Sequence, residues 1–300
     1  MRRITRTLSL LLALCLCIPL FAACGGREKT DLTGAKSLAD LKGAHLAAQG
    51  DTFHEKALEQ VEGITTVIYP SFSELLIALK NGVIDGYVAE TPTALTVCKA
   101  DSTLTYVPLE NNKTGFTATD ADVGVAVGLV KGSALREQIN AVLSTITEEQ
   151  KALLMQQAVA MAAGETVQEL ALSITEPENP VGVLRVAMEC DYKPYNWTDF
   201  GAGLTYGSVP ISGEGKQNMY ANGYDVQIAR YVAAKLNMKL EIYSMVWDSL
   251  IPALQSGTVD AIVAGMSPTA ERKQEIDFTD TYYTSNLVIV IRKNNGENAQ

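Results

Sequence analysis

Between residues 247 and 272, WDSLIPALQSGTVDAIVAGMSPTAER, the spacing of apolar positions changes twice. Leu250, Ile251 and Leu254 fall at helical spacing, and Pro252 is tolerable in a first turn, where its missing N–H has no partner anyway. Gly257 follows the last periodic residue, the position where a left-handed residue ends a helix. Val259 to Ala264 is a short apolar run between turn signals, which predicts a strand covered on both faces. Gly265, Ser267, Thr269 and Arg272 come at its carboxyl end, where ligands bind in open α/β sheets.

The same pattern occurs upstream in residues 72 to 94, FSELLIALKNGVIDGYVAETPTA, at an offset of 175 residues. Leu75/Leu250, Ala78/Ala253, Leu79/Leu254, Gly82/Gly257, Asp85/Asp260, Val88/Val263 and Ala89/Ala264 are identities. After a one-residue gap Pro92-Thr93-Ala94 pairs with Pro268-Thr269-Ala270. Two copies of one helix–strand–loop unit predict two similar α/β lobes. The copies end differently. One carries Glu90, the other Gly265, Ser267 and Arg272, so a zwitterion held between them would satisfy both.

The remaining pattern fits alternating strands and helices. Strands are predicted at 44–48, 104–107, 122–130, 184–188, 240–243 and 287–291. Helices are predicted after the stretch 49–54 to about Glu62, at 133–146, 148–161 and 226–236, with Asp51 or Thr52 as N-cap of the first. A strand running into that helix start presents free N–H groups to an anion. Residues 164–182, acidic and bearing Pro177 and Pro180, read as a linker. The glycine-rich stretch 200–221 reads as a surface excursion.

Composition changes this picture at the N-terminus. Arg2, Arg3 and Arg6, an apolar run from Leu8 to Leu20, and small residues before Cys24 form a leader too short to span a membrane permanently. The chain has 300 residues and a net charge of −10, which becomes −13 when the leader's three arginines are removed. That balance argues against nucleic acid as a partner. Cys98 and Cys190 remain besides Cys24, and either pair or stay thiols. His45 and His54 are the only histidines, and no HExxH or CxxC spacing suggests a metal or cofactor.

The segments SLADLKGAHLAAQGDTFH, ALKNGVIDGYVAETP, LRVAMECDYKPYNW, NGYDVQIARYVAAKL and WDSLIPALQSGTVDAIVAGMSPTAERKQEIDFTDTYY resemble the family 3 extracellular solute-binding proteins, the amino-acid receptors of ABC importers. The resemblance runs from Ser37 to Lys293. It implies an α/β, two-lobed periplasmic-binding-protein-like fold (type II), each lobe a mixed sheet flanked by helices, with the ligand cleft at the hinge. Residues 1–23 would be a signal peptide and 24–36 a tether lipid-anchored at Cys24, whose surroundings resemble a bacterial lipobox. Residues 37–118 plus 284–300 would form lobe 2, and 119–163 plus 183–283 lobe 1.

The order of segments departs from the family's, in which the piece like 184–293 comes first. The simplest account is a circular permutation in which 164–182 joins the family's usual termini, and the rival is a piece of a tandem array.

By this resemblance Arg272 matches the clamp for a ligand carboxylate, with Ser267 and the Gly265 backbone beside it and Thr52 approaching from the other lobe. Glu90 stands where the family usually places an aspartate for the ligand ammonium. Glu189 matches the acidic position facing the ligand side chain, and Tyr192, Trp197 and Trp247 would wall the pocket. The implied function is capture of a polar, basic amino acid outside the cytoplasm, at the outer face of the cell membrane, for delivery to an ABC permease. No catalytic residue is expected, because no GxSxG surrounds Ser267 and no histidine lies in its lobe's motifs. An enzyme on the same fold, such as a dehydratase or peptidoglycan lyase, and a ligand-sensing domain are the alternatives.

Overall fold

Four strands, β1 (His45–Gln49), β2 (Thr65–Tyr69), β3 (Gly86–Glu90) and β4 (Leu104–Val107), alternate with helices Phe53–Leu58, Phe72–Lys80 and Thr91–Ala100 in the first part of the chain. The structure is a computed structural model describing residues 29–201 and 206–293. The leader and Cys24 lie outside these described residues. Next come β5 (Gly124–Val125), β6 (Gly128–Leu129) and helices Leu135–Leu143 and Glu148–Ala162. Beyond residue 182 lie β7 (Val183–Met188), β8 (Asp191–Tyr192), β9 (Asn196–Phe200), β10 (Val209–Pro210) and β11 (Met219–Asn222). Helix Tyr224–Lys235, β12 (Lys239–Ser244), helix Leu250–Gln255 and β13 (Ala261–Ile262) follow. The order ends with helix Arg272–Glu275, β14 (Asp277–Phe278), β15 (Tyr283–Thr284) and β16 (Leu287–Arg292).

The fold is α/β, with two mixed five-stranded sheets flanked by helices. The first sheet runs β2-β1-β3-β16-β4 and the second β12-β7-β13-β6-β14. In each, the consecutive βαβ units pair in parallel, because the intervening helix supplies the crossover that parallel strands need. Each sheet also holds a strand remote in sequence from those it joins. β16 lies antiparallel between β3 and β4, and β6 antiparallel between β13 and β14. The apolar run of β16 is buried from Leu287 to Ile291, as an interior strand requires.

Both sheets belong to one compact unit beginning at Asp31. The chain passes from one sheet to the other through β5 and returns through β15, and these two strands pair with each other, Tyr283 opposite Val125. The two connections thus lie side by side. No described helix is long and apolar enough to cross a membrane.

The internal repeat has a structural cause. Gly82 and Gly257 adopt φ of +73° and +75°, the left-handed turn that releases each helix toward its strand. Asp85 and Asp260 then stand immediately before β3 and β13. The Asp85 Oδ2 accepts from the N–H of His45 at 2.9 Å, and Asp260 Oδ2 from that of Arg185 at 2.9 Å. The backbone N–H of each aspartate returns a bond to the carbonyl of the same residue, at 2.8 Å in both lobes. Each carboxylate also faces an arginine, Arg292 at 3.8 Å and Arg185 at 2.6 Å. The repeated aspartate therefore sets strand register.

Several elements differ from the sequence pattern. Residues 122–130 form the end of helix Asp120–Val123 and then two short strands, because this segment must leave one sheet, cross and enter the other. The apolar residues of 259–264 are buried, but the paired strand is only Ala261–Ile262, flanked by backbone bonds from Asp260 and Val263 to β7. The predicted surface excursion contains β10 and β11, which with β9 and β8 form a four-stranded antiparallel sheet. The first helix ends at Leu58, four residues early. Residues 164–182 carry no helix or strand, yet Leu170 and Leu172 are buried. Gln157 straps them down, donating to the Glu169 carbonyl at 2.9 Å and accepting from Ala171 N at 2.8 Å.

Asp260→Ala should lower unfolding free energy by about 2–3 kcal/mol, the loss of charge-assisted bonds to a half-buried partner. Asp260→Asn should cost less, because its amide oxygen can still accept from Arg185 N. Urea denaturation monitored by circular dichroism measures both, and equal losses would remove the assigned role of the carboxylate.

Candidate functional site

The carboxyl ends of β1, β3, β7 and β13 converge, so the residues just beyond them share one space. β1 ends at Gln49 and runs through Gly50 and Asp51 to the helix starting at Phe53. Asp51 adopts φ of +55°, a left-handed conformation that aspartate tolerates better than most residues. That turn aims its carbonyl oxygen at the other lobe. Arg272 Nη2 donates to it at 2.7 Å, and Trp247 Nε1 at a longer 3.4 Å. Arg272 Nη1 donates to the Ser267 carbonyl at 3.0 Å, and the guanidinium sits 5.2 Å from the centre of the Trp247 ring. Burial lowers the Arg272 pKa to about 10, which leaves it charged at neutral pH.

Arg272, Ser267, Gly265, Glu90, Thr52, Tyr192 and Trp247 line one cavity of about 20 Å³. That volume suits roughly one water. Gly265 adopts φ of +61°, and a Cβ there would meet the Tyr192 ring at 3.1 Å, so the close approach requires glycine. Thr52 is the N-cap residue, but its hydroxyl donates to the Gln49 carbonyl at 2.7 Å rather than capping the helix. Ser267 is buried and its carbonyl, rather than its hydroxyl, meets the arginine.

Glu189 and Trp197 are placed elsewhere. Trp197 lies on β9 and faces a separate hollow of about 350 Å³ between the lobes. Its Nε1 donates to Asp199 at 2.8 Å, and Lys193 Nζ stands 5.9 Å from the ring centre. Glu189 accepts from Gln49 Nε2 at 2.8 Å, a bond across the cleft. Ser73 donates to Asp191 across the same gap. Burial, then the nearby Asp191 charge, pushes the Glu189 carboxyl up to about 8, so it carries a proton at neutral pH in this arrangement.

Sequence reasoning missed four contributors: Gln49, the Asp51 carbonyl, His54 and Phe72. The Phe72 ring stacks on Tyr192 from the other lobe, with centroids 3.9 Å apart. His54 Nε2 lies 3.0 Å from Glu90 Oε1, both side chains buried. His54 Nδ1, Glu90 Oε2, Thr93 Oγ1 and Tyr192 Oη are buried without a hydrogen-bond partner among the described residues. Leaving such an atom unpaired costs about 1–3 kcal/mol. The signal for His54 was its place in the first turn after the glycine loop, two residues beyond Thr52.

Among the described residues no cluster of His, Cys, Asp and Glu could hold a metal ion. Cys98 and Cys190 are free thiols, pushed up to about 11 and about 12 chiefly by burial.

Residues 201–298 match the model for bacterial extracellular solute-binding proteins, family 3. The arginine-binding extracellular protein ArtP of Bacillus subtilis is 46% identical over 74 residues, which is 25% of this chain and 29% of that protein. A probable histidine-binding protein of Neisseria gonorrhoeae is 32% identical over 115 residues, 38% of this chain and 37% of the other. The chain thus spans well under half the length of these relatives. Among solved structures, an ancestral cationic amino acid solute binding protein is 34% identical with a TM-score of 0.25, covering 32% of this chain and 34% of that one.

The raised Glu189 pKa sets the sign of a pH effect. Its contribution to stability is complete below the ordinary 4.5 and is lost as pH rises toward about 8, because the folded state then holds a proton the unfolded chain has released. Thermal melts from pH 5 to 8.5 should therefore show a larger decline in wild type than in Glu189→Gln, which mimics the neutral acid. Parallel declines would disprove the assignment.

Proposed function

We propose, from the family 3 solute-binding segment that this chain carries, that the protein captures a polar, basic amino acid between its lobes for an ABC importer. The observation that carries this reading is the cavity lined at once by the Arg272 guanidinium and the Glu90 carboxylate. An α-amino acid presents the complementary pair of charges. Arg272 offers a planar fork suited to bidentate pairing with a carboxylate, and the Asp51 and Ser267 carbonyls now take the bonds that such a carboxylate would take. The names of the relatives, arginine-binding and histidine-binding among them, agree with a cationic or polar side chain.

Binding must widen a cavity of about 20 Å³, so the lobes open and close again around the ligand. The paired strands β5 and β15 are suited to that motion, since both connections bend at one place. Three or four charge-assisted bonds, less ordering and closure, amount to about 8 kcal/mol, which is micromolar affinity. Seven of the residues named from the sequence belong to this binding role. Glu189, held by the cavity-lining Gln49, is assigned to the ligand's side chain in the open form, where its carboxyl regains water and its charge, and Trp197 closes the neighbouring hollow. The proposed location is outside the cytoplasm, with Cys24 lipidated and an ABC permease as partner.

A second reading, an enzyme on the same fold, is favoured by one observation: the proton-bearing Glu189 beside the cleft. Conversion of a hydroxylated carboxylic acid by substoichiometric protein, lost in Glu189→Gln, would support it.

Arg272→Ala should weaken amino-acid binding by at least about a hundredfold in calorimetric titration, the loss of a bidentate charge-assisted contact. Wild-type affinity in that variant would mean the clamp is misassigned. Across a panel of the common amino acids, arginine or lysine should bind most tightly. An acidic or aliphatic amino acid at the head of the ranking would overturn the side-chain assignment.

A further inference from the structure

Phe72 lines the cavity of about 20 Å³ that Arg272 and Glu90 share, and it also lines the hollow of about 350 Å³ beside Trp197. Among the described residues it alone lines both. The two spaces are therefore neighbours, divided at this ring. Phe72 is the first residue of helix Phe72–Lys80, whose start is fixed by the Ser71 hydroxyl accepting from Glu74 N at 3.3 Å. Its ring stacks on Tyr192 of the opposite lobe, with centroids 3.9 Å apart and planes 14° from parallel. Asp191 and Lys193, on either side of Tyr192 in the chain, line the hollow, so the far side of the ring pair is that hollow.

The two halves of this partition are not equally free. Tyr195 packs on Tyr192 with centroids 4.9 Å apart, and the Gly265 backbone lies so close that a Cβ there would meet the Tyr192 ring at 3.1 Å. Tyr192 is thus fixed within its own lobe. Phe72 comes from the other lobe, so the partition is made when the lobes close and parted when they open. Beyond it, Leu76, Tyr87, Val97 and Trp197 give the hollow an apolar, aromatic lining. Its charges are already engaged: Asp191 accepts from Ser73, and Lys193 Nζ donates to the Ala162 carbonyl at 3.3 Å. What remains suits a flat apolar group, and the volume reaches the range of small-molecule pockets, about 300–1,000 Å³.

Resting on the amino-acid-binding reading above, we propose that Phe72 is a specificity-determining residue that limits the length of the ligand's side chain. With a ligand held at Arg272 and Glu90, a side chain that ends short of the ring pair leaves Phe72 free to stack and the lobes free to close. A side chain that runs past Tyr192 takes the place of the Phe72 ring and holds the lobes apart, a steric form of discrimination. Shortening Phe72 joins the cavity to the hollow. The joined space accepts an α-amino acid whose side chain carries a terminal aromatic group.

The test is calorimetric titration of the full chain with lysine and with Nε-benzyl-lysine, which keeps the α-groups and the side-chain charge and adds length and an apolar ring. The quantity read is the ratio of the two Kd values in each protein, because a general loss of stability or closure shifts both ligands alike. Wild type should bind Nε-benzyl-lysine at least about tenfold more weakly than lysine, and Phe72→Ala should shrink that ratio at least about tenfold. Phe72→Leu removes less of the wall and should shrink it at least about threefold, which carries the test if the alanine variant does not fold. Phe72→Tyr keeps the stacked ring and should hold the ratio within about twofold of wild type. Equal binding of the two ligands by wild type, a ratio unchanged in the alanine and leucine variants, or a tyrosine variant as permissive as the alanine one would each overturn the proposal. If arginine binds and lysine does not, arginine and Nω-benzyl-arginine are the probes. Wild-type protein that binds neither basic amino acid would overturn the underlying reading, whereas binding with a ratio indifferent to Phe72 overturns only this one.

Discussion

A guanidinium cannot leave water without acceptors, and Arg272 sits at the meeting of two lobes where acceptors come from both. The Ser267 carbonyl is local, five residues back along the same loop. The Asp51 carbonyl arrives from the opposite lobe and depends on a left-handed backbone at that residue. Their joint effect is to keep a fixed positive charge half-buried with neutral partners, a costly arrangement unless every N–H it turns inward is used. Any anion that replaces the Asp51 carbonyl keeps the hydrogen bond and adds charge pairing. On the proposed reading, the same chemistry that holds the lobes together would receive a carboxylate.

The rest of the architecture serves that meeting point. Parallel βαβ units bring the ends of β1 and β3 together in one lobe and those of β7 and β13 in the other. One long-range strand completes each sheet, so neither lobe is built from a single continuous stretch. The paired β5 and β15 are the consequence, since a chain that lends a strand to each side must cross twice. Across the cleft Gln49 meets Glu189, Ser73 meets Asp191 and Phe72 stacks on Tyr192, and away from it one buried apolar cluster continues from the first lobe into the second. The exposed pair of Lys56 and Glu271, also between lobes, adds little in water.

The repeated helix–strand–loop unit was legible because its cause is local. A left-handed glycine must end each helix, and an aspartate must lock the first backbone pair of the neighbouring strand, so the same residue types recur at the same spacing. The bounds of β16 and of helix Glu148–Ala162 came through for a similar reason, an unbroken apolar run in one and a helical period with a Thr147–Gln150 capping box in the other. Segment 122–130 misled because its alternation is that of a chain in transit between two sheets. The glycine-rich 200–221 misled because an antiparallel pair made of a two-residue and a four-residue strand leaves almost no periodic trace.

The sequence by itself determined the lobed α/β plan, the strand ends at which charged residues gather, and the opposition of Glu90 to Arg272. These follow from short-range spacing and from the kinds of side chain present. Only the tertiary structure decided which groups share a cavity. It set Glu189 against Gln49 and turned Trp197 into a different hollow, while joining His54 to Glu90 across 36 residues of chain. It also made the backbone carbonyl of Asp51 a partner of Arg272. Burial and hydrogen-bond satisfaction are properties of assembled surfaces, and no local pattern of residues encodes which distant atom will be left without a partner.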